Sequence, residues 1–176
     1  MKDEIDPSSA TAYHEAGHAV VRYWAGREAG TAHAFKSASI EEDADSLGRV
    51  IHNSPGAWFQ PDIATDSRTR KRLETEIMGS LAGFLAVERA GYPNASDGSE
   101  KDLSTAAMLA GYVCGSVEET EAYIEWLRLR TVALLGREFV WRGVVALATA
   151  LESTGTIRWR EAKSLIVEPF MTTWNR

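Results

Sequence analysis

Cysteine is nearly absent, basic charge is in the minority and no apolar run is long, and each shortage removes a class of protein. The single cysteine, Cys114, has no partner for an intramolecular disulfide, and a chain of 176 residues buries enough surface to hold a core without one. With 19 basic residues against 25 acidic ones and a formal charge of -6, nothing suggests a nucleic-acid backbone as partner. The short apolar run "GVVALATAL" falls well below the ~20 residues that cross a bilayer. The opening "MKDEIDPSS" is acidic and polar and lacks the apolar core of a secretory signal. The expectation is therefore one soluble, cytoplasmic domain over residues 1–176, with neither membrane nor nucleic acid among its partners. Serine and cysteine nucleophile chemistry also lack support. There is no G-x-S-x-G elbow, Cys114 has no histidine near it in sequence, and its apolar helical context suits a buried thiol. The sequon Asn94-Ala95-Ser96 is read as chance in such a setting.

What is present is mostly helical periodicity. Tyr13, Ala16, Gly17, Val20, Val21 and Trp24 recur at three- and four-residue steps and predict a helix with one apolar stripe, capped by Ser8 or Ser9 and ended by Gly26. Thr31 to Ile40 and Leu47 to His52 are strand-like around the acidic "EEDADS", which predicts a hairpin. The segment "NSPGAWFQPDIATD" has two prolines and no period and reads as a loop, in which Trp58 and Phe59 either close over a substrate or anchor the loop. Ser67 to Arg89 reads as a helix whose basic cluster Arg68, Arg70, Lys71, Arg72 forms a solvated face, and "GYPNASDG" breaks it. Glu100 to Gly111 starts another helix. Ser116 with Glu119 forms a capping box for the next, with a separate or kinked helix over Phe139 to Leu151 after Gly136. A short helix over Trp159 to Val167 closes a fold that is mainly α with a small β-sheet or hairpin.

Within the first helix, "TAYHEAGHAVVRYWAG" holds His14-Glu15-Ala16-Gly17-His18. Residues four apart on a helix project one above the other, so two imidazoles can meet one ion while the intervening glutamate serves as a base. At ~100° per residue the histidines lie about 110° from the centre of the apolar stripe, which argues against ordinary core histidines and leaves exposed surface histidines as the bland alternative. A lone strand histidine such as His33 or His52 is more often a half-exposed side chain than a ligand.

"AYHEAGHAVV" resembles the zinc-site helix of the FtsH-type metallopeptidases. "SLGRVIH" is similar to the family's "LGY" strand, "EIMGSLAGFLAVE" to its "LGGRAAEE" helix, and "DGSEKDLSTAAMLA" to its "TGAxNDLxxATxLA". "VALLGREFVWRGVVALATALESTGTI" looks like its C-terminal helical region, so the resemblance runs over roughly Ala10 to Val167. It implies a zincin-like metallopeptidase domain: a zinc-site helix and hairpin over 10–53, helices carrying the third ligand over 67–115, and a C-terminal helical bundle over 116–176. It makes His14, His18 and Asp102 the ligands of one Zn2+ ion and Glu15 the catalytic base. Asp102 also suits the first turn of a helix, and Asp97, Glu100 and Glu88 are the lesser candidates for its role. Leu47, Gly48, Arg49, Val50 and Ile51 would form the strand along which an extended substrate adds.

The implied function is ATP-independent zinc metalloendopeptidase activity on unfolded or flexible polypeptides. The alternative is a non-catalytic, zinc-stabilised module that binds peptides or proteins. A homo-oligomer and a separate ATPase or unfoldase remain open as partners. The family's ATPase module has no counterpart here, since no Gly-Lys dipeptide and hence no phosphate-binding loop occurs. Two further departures are Phe84 and Leu85, where the family has an acidic pair, and Gly111, where it has arginine.

Overall fold

The structure, a computed structural model, describes residues 7–31, 35–41, 48–52, 56, 58–64, 66–92 and 99–174. Its elements in chain order are α1 (Pro7–Ala29), β1 (Phe35–Ser39), β2 (Arg49–His52), α2 (Ser67–Arg89), α3 (Ser99–Ala110), α4 (Val117–Gly136), α5 (Glu138–Thr154), β3 (Thr156–Arg158) and α6 (Trp159–Trp174). The expectation of a mainly α chain with a small sheet is met. None of the described helices is long and apolar enough to cross a membrane.

Helix α1 is the centre of the molecule. Ala12, Ala16, Ala19, Val20, Val21, Trp24 and Ala25 are all buried, and so are Glu15 and His18. These positions surround the helix, because α2 and α5 pack on it and the sheet covers a further side. The single apolar stripe was therefore too narrow a reading: small residues let neighbours approach on several sides, a pattern that periodicity does not register. At the closest approach a Cβ on Gly17 would lie 2.7 Å from the Ala82 carbonyl oxygen of α2. Gly26 does not end α1, which runs one more turn to Gly30. There φ is 71°, and the Thr31 amide donates to the Gly26 carbonyl at 2.8 Å in a Schellman closure. Ser8 and Ser9 lie inside the first turn of the helix.

The predicted hairpin is present as β1 and β2, antiparallel, with Ala38 opposite Val50 and Phe35 opposite His52. β3 adds antiparallel to the other side of β1, giving the order β2-β1-β3. No alternation announced this three-residue strand. Tertiary pairing creates it, with the Ile40 amide donating to the Gly155 carbonyl at 2.9 Å and Ile157 buried. The sheet leaves β2 as an edge strand.

Helix α2 has the predicted bounds, started by Asp66, whose Oδ1 accepts from the Thr69 amide at 2.8 Å. Its basic face is not uniformly solvated: Arg72 is buried and pairs with Glu76 at 2.6 Å. The Ser116 side chain caps α4 through the Glu119 amide, while the Glu119 carboxylate reaches back to the Gly115 amide at 2.6 Å, one residue beyond the usual capping box. α4 and α5 are separate helices that meet at Arg137. α6 continues past Val167 and through Pro169 because Phe170 packs in an aromatic cluster, 5.2 Å from both Trp24 and Phe139. Trp58 and Phe59 anchor their loop to α2: the Arg68 guanidinium lies 3.9 Å over the Trp58 ring, and Phe59 packs on the core.

Candidate metal centre

α1 and α3 bring three ligand-type side chains together across the face of α2. His14 and His18, one turn apart on α1, have their rings 4.5 Å apart at 88°, with 2.9 Å between the two Nε2 atoms. Asp102, in the first turn of α3, places Oδ2 3.1 Å from His14 Nε2 and 3.0 Å from His18 Nε2. Among the described residues this is the one group of three or more His, Cys, Asp or Glu side chains able to share a metal ion. His14 and Asp102, 88 positions apart, meet here because α1 and α3 both pack against α2.

The donors fit a cation. His18 Nδ1 lies 2.7 Å from the Gly79 carbonyl oxygen, which can only accept, so that nitrogen carries the proton and the neutral ring presents a lone pair at Nε2. Asp102 Oδ2 is close to both ring nitrogens, yet neither meets it along a hydrogen-bond direction. Two imidazole nitrogens and a carboxylate oxygen thus converge at 2.9 to 3.1 Å, with the two Nε2 atoms sharing a hydrogen bond. Three ligands of one tetrahedral zinc, each ~2.0 to 2.1 Å from the ion, stand about 3.3 Å apart. Two nitrogens and an oxygen also form a donor set that zinc accepts.

The charge state of the pocket follows from burial and proximity. Burial lowers the pKa of His14, opposed by its contact with Asp102. Burial opposes charge on His18 as well, but Asp102 and Glu15 outweigh it and the net shift is upward. For Asp102 burial acts upward, yet the two imidazoles hold the carboxyl well below the usual carboxylate range. The ionised Asp102 therefore favours positive charge beside it, on His18 or on a bound cation.

Glu15 is 5% exposed, and burial raises its pKa from 4.5 to about 7. Its Oε2 is buried without a hydrogen-bond partner among the described residues. Gly48, just before β2, covers this carboxylate: a Cβ there would lie 3.1 Å from Glu15 Cγ and 2.8 Å from Thr11 Cγ2. At the other end of β2, His52 Nε2 lies 2.9 Å from Arg22 Nη1. β2 thus runs alongside α1 from Glu15 toward Arg22.

Of the expected substrate strand, Gly48 and Val50 are half-buried and Arg49 and Ile51 exposed, while Leu47 lies outside the described residues. His33 and Asp97 lie outside them too, as does the sequon at 94–96. Glu88 and Glu100 are exposed and take no part in the cluster, and His52 faces Arg22 instead of the metal centre. Cys114 is half-buried in the turn after α3, not within a helix, and burial pushes its thiol up.

The sequence reading missed two features. Gly83 lets α2 approach the histidines, since a Cβ there would lie 2.6 Å from His14 Cε1 and 2.7 Å from each Nε2. Arg22 ties three elements together, donating to Glu76 on α2 at 3.2 Å and to Ser80 at 3.4 Å while meeting His52 on β2. The signal for Arg22 was its position four residues after His18, on the same side of α1. For α2 it was the run Glu76, Gly79, Gly83 at helical spacing. A comparison with models of known protein families finds no match to this chain, and a comparison with curated proteins finds none either.

Proposed function

We propose that the chain is a zinc metalloendopeptidase of the FtsH type, acting on unfolded or extended polypeptides without ATP hydrolysis of its own. His14, His18 and Asp102 are the ligands of one ion and Glu15 is the general base. The observation that carries this reading is the convergence of two Nε2 atoms and a carboxylate oxygen within 3.1 Å, next to a buried glutamate with an unpartnered oxygen. A structural site needs the ligands but has no use for the base.

Zinc, when bound, supplies a Lewis acid and lowers the pKa of water toward about 7. The protein's own groups do the rest. Glu15, buried beside the histidine pair with an unpartnered oxygen, is placed to accept a proton from the attacking water and return it to the leaving amine. The Gly79 carbonyl holds the His18 ring in one tautomer and orientation, and Gly83 keeps α2 from displacing either imidazole. An extended peptide added to the outer edge of β2 takes main-chain hydrogen bonds independent of its sequence and passes Glu15 on its way toward Arg22. Substrates that are already unstructured, or unfolded by a separate partner, suit such an edge.

The test is hydrolysis of casein without ATP by the zinc-loaded protein and by Glu15→Gln at equal metal content. Cleavage that a chelator stops and that Glu15→Gln abolishes is the expected result. If both proteins hold one zinc and neither cleaves, the enzyme reading is refuted in favour of a zinc-stabilised binding module.

A further inference from the structure

Outside the metal centre, a second cluster of polar side chains joins α1, α2 and the sheet. Arg22 on α1, 13% exposed, donates through Nε to Glu76 Oε2 at 3.2 Å and through Nη2 to Ser80 Oγ at 3.4 Å, both on α2. Its Nη1 donates to His52 Nε2 at 2.9 Å, at the C-terminal end of β2. Glu76 is held from a second side by Arg72, which donates through Nε at 2.7 Å, and the Arg72 guanidinium lies 5.9 Å from the ring of Phe59 in the segment after β2. A guanidinium withdrawn from water is costly unless its donors are used, and all three Arg22 nitrogens are used here.

The link to His52 is the part of this cluster that reaches the sheet. α1 and α2 already pack closely at Gly17 and Ala82, and Glu76 keeps Arg72 as a partner without Arg22. β2, in contrast, is a four-residue strand paired to β1 along one edge and open along the other. Val50 packs on the core, while Gly48 sits over Glu15 before the strand and Arg22 holds His52 at its far end. The height and tilt of the open edge above α1 therefore depend on the Arg22–His52 pair. Gly79 joins that pair to the histidines. Its carbonyl accepts from His18 Nδ1 at 2.7 Å, and a Cβ on it would collide with the Arg22 side chain, so one residue of α2 seats both the ring and the guanidinium one turn further on.

We propose that Arg22 is a positioning residue for the substrate strand: acting through His52, it fixes the open edge of β2 relative to His14, His18 and Asp102, so that an extended peptide paired to that edge lies across the metal centre. This role rests on the peptidase reading above and adds to it the residue that aligns peptide and ion. Because the partners of Arg22 lie on α2 and β2, its loss acts on peptide alignment and leaves the three ligands in place. Freeing one end of so short an edge forfeits about one or two main-chain hydrogen bonds to the peptide, about a tenfold loss of affinity.

Two readouts on the zinc-loaded full chain test this: casein hydrolysis, and the affinity of fluorescein-labelled β-casein for the protein carrying Glu15→Gln. Arg22→Met is expected to raise KM about tenfold with kcat within about twofold of wild type, and to weaken casein binding by the same factor at unchanged zinc content. His52→Leu removes the contact from the sheet side, leaves Arg22 paired with Glu76, and should match it. The double variant should be no worse than either single one, the mark of two residues acting as a unit. His52→Gln keeps a hydrogen-bond acceptor and should stay within about twofold of wild type. Circular dichroism confirms that each variant is folded. Unchanged KM and casein affinity in Arg22→Met and His52→Leu, losses that add in the double variant, or a loss of zinc in either overturns the role. Casein binding that follows the Arg22–His52 pair in a protein that never cleaves refutes the peptidase reading alone, cleavage indifferent to the pair refutes the positioning role alone, and casein that neither binds nor is cleaved overturns both.

Discussion

Gly83→Ala probes the candidate metal centre without changing His14, His18 or Asp102. Its Cβ would stand 2.6 to 2.7 Å from His14 Cε1, His14 Nε2 and His18 Nε2. Restoring an ordinary separation of about 3.4 Å moves the rings by about 0.7 to 0.8 Å, against a tolerance of ~0.2 Å for metal–ligand distances. Yielding is hard on the His18 side, where the ring is 6% exposed and tied to the Gly79 carbonyl at 2.7 Å. The helix gains up to about 1 kcal/mol from replacing glycine with alanine, and overpacking costs about 1 to 3 kcal/mol, so the net loss of stability is about 0 to 2 kcal/mol. Zinc affinity, in contrast, falls by about 10- to 100-fold, the range seen when the groups that orient metal ligands are disturbed. Calorimetric zinc titration of the folded variant, with a urea melt of the metal-free form, reads the two quantities separately. Wild-type affinity in a folded Gly83→Ala protein would refute the claim that α2 seats the two imidazoles.

In the metal-free protein, Glu15→Gln becomes stabilising as pH rises. The native glutamate holds its proton to about pH 7 and the unfolded one to about 4.5, so wild-type stability drops across that window by about 3 kcal/mol, a loss the glutamine variant avoids. Urea melts of both proteins at pH 4 and pH 8, with chelator, should show the gap opening only at the higher pH; an equal difference at both contradicts the raised pKa. Because His18 holds its proton more tightly than a free imidazole, zinc binding should release protons and weaken as pH falls, which titration in buffers of different ionisation enthalpy measures. Asp66→Ala, which removes the acceptor for the Thr69 amide, should cost about 0.5 to 2 kcal/mol in a urea melt and leave zinc affinity unchanged. Leu147→Ala, at a fully buried position of α5, should cost about 2 to 5 kcal/mol by the same assay.

Local signals served well where an element carries its own punctuation. The composition and apolar spacing of Ser67 to Arg89 marked α2, and Ser116 with Glu119 marked α4. They failed where another part of the chain supplies the missing free energy. β3 has three residues and no pattern, and it exists because β1 offers it an edge. α6 outlasts Pro169 because Phe170 has an aromatic cluster to enter. For α1 the histidine spacing was legible but the burial was not. His18 stood well away from the expected stripe and is nonetheless enclosed, since α2 approaches there through Gly79 and Gly83.

By itself, the sequence determined the helical class, most helix starts, the hairpin and the i, i+4 histidine pair with its glutamate, because all of these depend on interactions between near neighbours in the chain. Tertiary structure alone decided that Asp102 stands within 3.1 Å of both histidines, that a carbonyl of α2 sets the His18 tautomer, and that Glu15 is buried enough to carry a pKa of about 7. The physical reason is that ligand distances and desolvation are properties of packed elements. They arise where α1, α2 and α3 meet, and no segment of the chain encodes them separately.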